Sequence, residues 1–124
     1  MSRNILFVAI GGMLGSVARF LLVTLAVQLL PSTFPVGTFF VNVIGSFVMG
    51  AAAGFAERNL WFDSPWRVFI TAGFCGGFTT FSAFAFENVD LILNKSYGTF
   101  AIYSIGTFVV CLLAAFFGFV LTRS

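Results

Sequence analysis

The sequence predicts an all-α membrane protein of four transmembrane helices, the third of them broken near its middle. First, 60% of the 124 residues are hydrophobic and only 8% are charged, whereas a soluble domain is roughly half apolar and about a quarter charged. Second, the apolar residues fall into four segments, each long enough to cross a hydrocarbon core about 30 Å thick, which takes about 20 residues. Third, glycines and hydroxyls are concentrated in the middle of the third segment.

The composition also excludes several classes of protein. The chain has no histidine, which removes Ser-His-Asp and Cys-His catalysis together with imidazole metal sites, and nothing else indicates an enzyme. Its six basic residues are scattered, so no nucleic-acid footprint is present. The first apolar run continues past Leu25 without a small-residue cleavage pattern, which argues against a cleaved signal peptide. Cys75 and Cys111 lie in apolar stretches and are expected to be buried thiols rather than a disulfide.

The four spans make up a single transmembrane domain, residues 1–124. The spans are expected at about residues 5–30, 36–56, 68–86 and 100–121. Pro31 closes the first span, and the amphipathic rings of Trp61, Trp66 and Tyr97 lie at span edges, where such rings prefer to be.

Small residues recur at helical spacing and form stripes on three of the spans. In lipid, such stripes let two helix backbones approach closely and drive helix association. The pattern leaves two interpretations open, packing inside one subunit and contact between the subunits of a dimer. The stripes are Gly11 and Gly15, then Ser46, Gly50 and Gly54, then Gly73 and Gly77.

The third span differs from the others between Gly73 and Phe84. Three glycines and three hydroxyl residues occupy this stretch, GFCGGFTTFSAF. A glycine inside a helix costs about 1 kcal/mol relative to alanine, and backbone freed at membrane depth is tolerated only where protein, water or an ion satisfies it. An unbroken helix with close-packing glycines is the alternative, but the pattern favours a break of the kind that often forms ion sites.

Polar side chains within the spans are the candidate functional residues. A central arginine such as Arg19 marks a pathway or a partner by default, although it could instead reach the helix end and anchor it. Asn42 offers amide donors, either to another helix or to a passing anion. Tyr103, Thr107 and Cys111 recur every four residues and therefore share one face of the fourth span, as a polar track or as inter-helix hydrogen bonds.

The charge pattern of the spans favours an anion as the transported species. Glu87 and Asp90 are expected to follow the third span, which leaves no deep carboxylate beside Arg19 and Asn42. Phe81 and Phe84 lie three residues apart, a spacing that usually reflects packing alone. An aromatic ring nevertheless has a positive edge, and such an edge directed into a narrow pore can help to solvate an anion.

Three motifs resemble those of one family, the Fluc (CrcB) fluoride channels. The run GFCGGFTTFSAF (residues 73–84) is similar to that family's long third-span motif, which is highly specific. The runs GSVARF (residues 15–20) and GTFFVNVIG (residues 37–45) resemble its first-span and second-span motifs. Length, four spans and motif order agree, so the resemblance covers essentially the whole chain.

The resemblance implies an antiparallel homodimer with two pores, each built from both chains. It also implies a structural sodium ion (Na+) on the dimer axis, held by the main-chain carbonyls of Gly76 and Thr79. The pathway residues would be Phe81, Phe84, Asn42, Tyr103, Thr107 and Cys111, with Arg19 supplying positive potential near a vestibule. Cys111 departs from the hydroxyl residue often found at its position, and Ala83 replaces a small hydroxyl residue between the two rings.

The function implied is passive export of cytoplasmic fluoride through the bacterial plasma (inner) membrane, which relieves fluoride toxicity. Two other functions remain as alternatives. A small multidrug exporter coupled to protons would need a carboxylate in the first span, where this chain has Arg19 instead. A non-transporting membrane assembly protein would give no role to the polar run of the third span.

Basic residues near the span ends do not settle the orientation. Arg3, Arg58, Arg67 and Arg123 lie on the side of both termini, and Lys95 lies on the other side. This bias leans towards cytoplasmic termini, whereas insertion in both orientations predicts almost none. The pattern is compatible with dual topology or with pairing to a homologous chain.

Overall fold

The computed structural model describes residues 2–30, 34–59 and 64–123, and its regular elements in these ranges are all helical. Four helices are long and apolar enough to cross a membrane, which confirms the all-α, four-helix prediction. Pro31 and Trp61, which were expected to mark span edges, lie outside the described residues. The four spans are Ser2–Leu29, Val36–Arg58, Pro65–Leu93 and Tyr97–Arg123.

Three of the spans are single α-helices, and the third is composite. We label the single helices α1 (Ser2–Leu29), α2 (Val36–Arg58) and α6 (Tyr97–Arg123). Along the third span, α3 (Ser64–Val68) leads into a π-helical segment, Phe69–Cys75, followed by α4 (Gly76–Phe78) and α5 (Ser82–Leu93). A π-helical stretch within a helix is rare and is often found at functional sites.

The helical pattern of the third span is interrupted between α4 and α5. Thr79 has φ −86° and ψ 158°, an extended conformation, and α5 begins only at Ser82. The interruption lies within the residues where the sequence concentrates glycine and hydroxyl side chains. It leaves backbone groups that the helix itself does not pair.

The third span also continues beyond its expected end at residue 86, because α5 runs to Leu93. Glu87 therefore lies in the helical continuation of this segment. The helix can include this acid because two hydroxyl groups donate hydrogen bonds to its carboxylate. The turn after α5 is short and contains Lys95 in the left-handed conformation, with φ 59°.

Glycines bring α1 and the third span into direct backbone contact. A Cβ atom on Gly73 would lie 3.1 Å from the Cα atom of Gly11, and one on Gly77 would meet the carbonyl oxygen of Gly12 and Ser16. The glycine runs near residues 11–15 and 73–77 therefore face each other inside one chain. The structure shows that these stripes pack within the subunit, which is one of the two interpretations.

The helices α2 and α6 run parallel and pack closely in a fixed register. A Cβ atom on Gly50 would collide with Ala115, and one on Gly54 would collide with Phe119. Each pair is separated by the same number of residues along the chain (115 − 50 = 119 − 54 = 65). The hydroxyl of Thr122 donates a hydrogen bond of 2.8 Å to the Ala51 carbonyl and links the two helix ends.

The surface of the chain is apolar, as contact with lipid requires. Phe20, Phe86 and Phe116 are each about two-thirds exposed or more, at 67%, 70% and 66%. Trp66 and Tyr97 are exposed at the starts of the third and fourth spans. In contrast, Tyr103 is fully buried among the helices.

Candidate ion-pathway cavity

A cavity of about 590 Å³ lies between α2, the third span and α6, beside the interruption. We call it the central cavity. Its walls are mainly apolar, and hydroxyls, an amide and sulfur atoms are set among the aromatic rings. The residues that supply these groups are Asn42, Ser46, Met49, Cys75, Thr79, Thr80, Phe81, Phe84, Ser104, Thr107, Phe108 and Cys111.

Asn42 secures the interrupted backbone at Thr80. The Asn42 Nδ2 group donates to the Thr80 carbonyl oxygen at 3.1 Å, and the Thr80 amide donates to Asn42 Oδ1 at 2.9 Å. The side-chain amide thus replaces the helical hydrogen bonds that Thr80 lacks. In the structure, Asn42 bonds across helices, which is one of the two roles open to it. One of its two Nδ2 hydrogens is left over.

The interruption changes the pairing of two main-chain carbonyls. In a continuous α-helix, the amide four residues later would pair with each carbonyl. The Thr80 amide, which would pair with Gly76, donates to Asn42 instead. The Ala83 amide, which would pair with Thr79, donates to the Thr80 hydroxyl at 3.2 Å. The carbonyls of Gly76 and Thr79 therefore lose their usual helical partners.

Thr107 brings an unpaired hydroxyl to the central cavity. Its side chain is 7% exposed, and its Oγ1 atom has no hydrogen-bond partner. A buried hydroxyl without a partner costs about 1–3 kcal/mol, so this group is prepared for a ligand that accepts a hydrogen bond. Cys111 lies one turn further along α6 and also lines the cavity.

Two aromatic rings stand together at the mouth of the cavity. The rings of Phe81 and Phe84 have centroids 5.7 Å apart and planes tilted by 46°. Phe84 also packs against Tyr103 at 5.0 Å. Phe81 is 78% exposed, although it follows a helix interruption in an otherwise close-packed segment. Its exposure leaves a ring edge free to face an ion or a second chain.

Arg19 binds the third span rather than the central cavity. Its Nε group donates a hydrogen bond of 3.0 Å to the carbonyl oxygen of Gly77. Gly77 lies in α4, immediately before the interruption, so the guanidinium neutralises a carbonyl at the end of a half-helix, where positive charge is favourable. Arg19 therefore has a partner, one of the two roles considered for it.

Glu87 accepts hydrogen bonds from two buried hydroxyls. The Thr38 hydroxyl donates to one carboxylate oxygen and the Tyr103 hydroxyl donates to the other, both at 2.8 Å. Hydrogen bonds to a charged acceptor are the stronger kind, at about 1.5–3 kcal/mol each. A second cavity, of about 240 Å³ and lined by Thr38 and Glu87, adjoins this cluster at the start of α2.

Comparison with known proteins identifies the family of this chain. Residues 6–119 match the family described as CrcB-like protein, Camphor Resistance (CrcB). The chain belongs to the CrcB family. It is a multi-pass membrane protein with four apolar spans, and the resemblance found in its sequence motifs is confirmed.

Members of the CrcB family that are similar to this chain carry a functional name. A protein of Azobacteroides pseudotrichonymphae is 40% identical over 123 residues, covering 99% of this chain and 98% of the relative. One from Caulobacter vibrioides is 40% identical, covering 98% and 96%. One from Bacteroides fragilis is 42% identical, covering 94% and 93%. Each of the three is named fluoride-specific ion channel FluC.

The structure gathers most of the sequence-predicted pathway residues of this CrcB chain around one space. Asn42, Phe81, Phe84, Thr107 and Cys111 all line the central cavity. The other two candidates lie elsewhere, since Arg19 binds Gly77 and Tyr103 donates its hydroxyl to Glu87. The Tyr103 ring packs against Phe84, with 5.0 Å between the ring centroids.

Sequence reasoning missed Thr38, Thr80 and Glu87. Thr38 precedes Asn42 by four residues, so a second polar stripe on α2 was available as a signal. Glu87 is expected after the third span because an acid normally ends an apolar span, and its two hydroxyl partners are seen only in the structure. Thr80 was noted as one of several hydroxyls, and only the structure shows that its backbone pairs with Asn42.

Proposed function

We propose that this chain is a fluoride-specific ion channel that exports cytoplasmic fluoride from a bacterial cell through its inner membrane. The observation that carries the proposal is the unpaired Thr107 hydroxyl in a cavity bordered by Phe81 and Phe84. The name shared by the similar proteins supports it.

The chemistry of the cavity suits fluoride. A small anion holds its water strongly, so a pathway has to replace that water with hydrogen-bond donors. Thr107 offers its hydroxyl, Asn42 has a remaining amide hydrogen, and Cys111 offers a weak thiol donor. The ring edges of Phe81 and Phe84 add positive quadrupole charge without adding a carboxylate or an ammonium group.

Passive flow is sufficient for export. Fluoride that enters as its neutral acid ionises in the cytoplasm. An inside-negative potential then expels it, with about 2.3 kcal/mol per charge per 100 mV. No chemical step is required, so the chain is not an enzyme.

The pathway needs a second copy of the chain. The central cavity is open on one side, and Phe81 is exposed there. An antiparallel homodimer would cover this side and give two equivalent pathways, while a paired homologue is the alternative partner. The interruption between α4 and α5 then acts as a permanent helix break, fixed by Asn42 and Arg19.

A structural sodium ion fits the same break. Carbonyl oxygens of unwound backbone are the groups that bind Na+ in discontinuous membrane helices. Gly76 and Thr79 would hold the ion, because the amides that normally pair with their carbonyls donate to Asn42 and Thr80 instead. The ion would neutralise these oxygens and join the two breaks across the dimer.

The proton-coupled multidrug exporter is not favoured. Its mechanism needs an acid in the first span, and the described part of α1 contains Arg19 and Arg3 but no acid. Glu87 lies in the helix α5, where two hydroxyl donors bind its carboxylate. The non-transporting assembly protein gives no reason for the unpaired hydroxyl of Thr107.

The test is ion efflux from liposomes that contain only the purified chain. We expect rapid release of fluoride and negligible release of chloride, with no proton gradient required. Comparable chloride release, or proton-coupled transport of a cationic drug, would contradict the proposal. Liposomes without protein control for leakage of hydrogen fluoride.

A further inference from the structure

Three sulfur atoms border the central cavity. Met49 lies on α2, Cys75 ends the π-helical segment and Cys111 lies on α6, and all three line the cavity wall. The chain has two cysteines and three methionines, so both cysteines and one of the methionines meet at this space. Both thiols are free.

The register of the helices brings the three sulfurs to similar heights. Gly45 of α2 packs directly against Thr79. Met49 lies one turn after Gly45, and Cys75 lies one turn before Thr79.

Met49 follows Gly45 in sequence, whereas Cys75 precedes Thr79, yet both steps lead in the same direction in space. The helix α2 and the third span are antiparallel, because Thr38 bonds Glu87 whereas Asn42 bonds Thr80. Met49 and Cys75 therefore share one level. Cys111 lies beside Ser46, within about one helical turn (5.4 Å) of that level.

We propose that Met49, Cys75 and Cys111 form a binding site for a soft monovalent metal ion, Cu+ or its analogue Ag+. Thiolate and thioether sulfurs are the ligands that select such ions. Met49 is 40% exposed and Cys75 is 1% exposed, so the thioether is accessible from outside the chain and the Cys75 thiol is buried. The absence of a charged side chain from the lining leaves sulfur as the strongest available ligand.

Coordination of one metal ion by both thiols releases two protons. At each coordinating cysteine the S–H bond breaks, the proton passes to solvent and an S–metal bond forms, with no change of oxidation state. The unpaired hydroxyl of Thr107 also lines this cavity.

The same cavity is bordered by Phe81 and Phe84. A metal ion held by the sulfurs would therefore obstruct the ion pathway. This consequence rests on the proposed function, whereas the binding of metal does not.

Binding is measured first, with Ag+ as the probe and chloride-free nitrate buffer to keep silver in solution. The purified protein is titrated, desalted and analysed for bound silver, and X-ray absorption identifies the coordinating atoms. We expect one Ag+ per chain with sulfur coordination, and prior alkylation of the thiols should abolish it. Equal silver retention by the alkylated and untreated protein would overturn the site.

Matched variants then assign the ligands. Met49→Leu and the double variant Cys75→Ala/Cys111→Ala should each weaken Ag+ binding by at least about tenfold. Met13→Leu is the control, because Met13 is 59% exposed on α1 and does not line the cavity. Equal effects of Met49→Leu and Met13→Leu would contradict the assignment, and size-exclusion chromatography checks that each variant is folded.

For each protein, fluoride efflux with Ag+ is expressed relative to the efflux of the same protein without Ag+. Silver should block the parent and the Met13→Leu variant and spare the cysteine double variant. Tight binding with undiminished flux would overturn the placement of the metal in the pathway. A parent protein that binds silver but never conducts fluoride would overturn the proposed function alone.

Discussion

Asn42 and Thr80 exchange two hydrogen bonds between a side-chain amide on α2 and the main chain at the interruption of the third span. Replacing Asn42 with Leu keeps the approximate volume and removes both. It leaves an amide and a carbonyl unpaired, at about 1–3 kcal/mol each, so we expect a lower unfolding temperature and little fluoride flux. Thermal unfolding in detergent and liposome efflux measure the two effects.

The control for Asn42 is Asn94→Leu. Asn94 also donates its Nδ2 group to a main-chain carbonyl, that of Asp90 at 3.0 Å, but it is exposed at the end of α5. Its replacement should leave flux unchanged. Normal flux in Asn42→Leu would contradict the role assigned to the amide.

Thr107→Val should separate conduction from stability. The Thr107 hydroxyl has no partner, so replacing it with a methyl group removes no hydrogen bond and should leave stability equal or higher. Flux should fall because a donor to the anion is lost, and Thr107→Ser should retain it.

Thr122→Val provides the opposite case on the same helix. The Thr122 hydroxyl donates to the Ala51 carbonyl, so its loss should lower stability, by about 0.5–1.5 kcal/mol, and spare conduction. If Thr107→Val lowered stability and kept full flux, the unpaired hydroxyl would have no part in transport.

Phe81→Ile and Phe84→Leu test the aromatic edges. Both keep the site apolar, so stability should fall by only about 1–2 kcal/mol. The loss should be smaller for Phe81, which is 78% exposed. We expect intact dimers by size exclusion with severely reduced fluoride efflux. Phe116→Leu, at a lipid-facing ring of α6, is the control and should conduct normally. Loss of flux only in step with loss of dimer would indicate that the rings merely pack.

Glu87→Gln should disturb the hydroxyl cluster. The carboxylate accepts from Thr38 and Tyr103, whereas an amide has one oxygen and no charge, so one of these hydroxyls would lose its acceptor. We expect a loss of about 1.5–3 kcal/mol in thermal unfolding. Because Tyr103 packs on Phe84, flux should fall as well. Asp90→Asn, at an exposed site of the same helix, should change neither quantity, and equal effects of the two variants would contradict a specific role for Glu87.

Assembly can be tested without altering any site residue. Cross-linking in detergent should trap dimers, and a C-terminal tag should be labelled from both sides of the membrane if the copies are antiparallel. Labelling from one side would exclude dual topology and favour a paired homologue. A purely monomeric chain that conducts fluoride would contradict a pathway shared between copies.

The sequence predicts the number and type of the spans because apolar length alone decides whether a segment can cross a membrane. It also identifies five residues that line the central cavity, since polar groups in lipid are rare enough to stand out. The sequence places Glu87 after the third span because an acid normally ends an apolar segment, and it does not predict the hydrogen-bond partners of this side chain. Those partners, Thr38 and Tyr103, come from other helices, and such distant pairing is invisible in local sequence.

The parallel packing of α2 against α6 restricts how this region can change length. Gly50 and Gly54 fit against Ala115 and Phe119 with the same spacing along both helices. Inserting or deleting one residue between Asn42 and Gly50 would rotate the two positions relative to each other by about 100°. Either Asn42 would leave Thr80, or a bulky side chain would meet Ala115. Point substitutions can therefore accumulate on the lipid face of α2, whereas insertions and deletions there would be selected against.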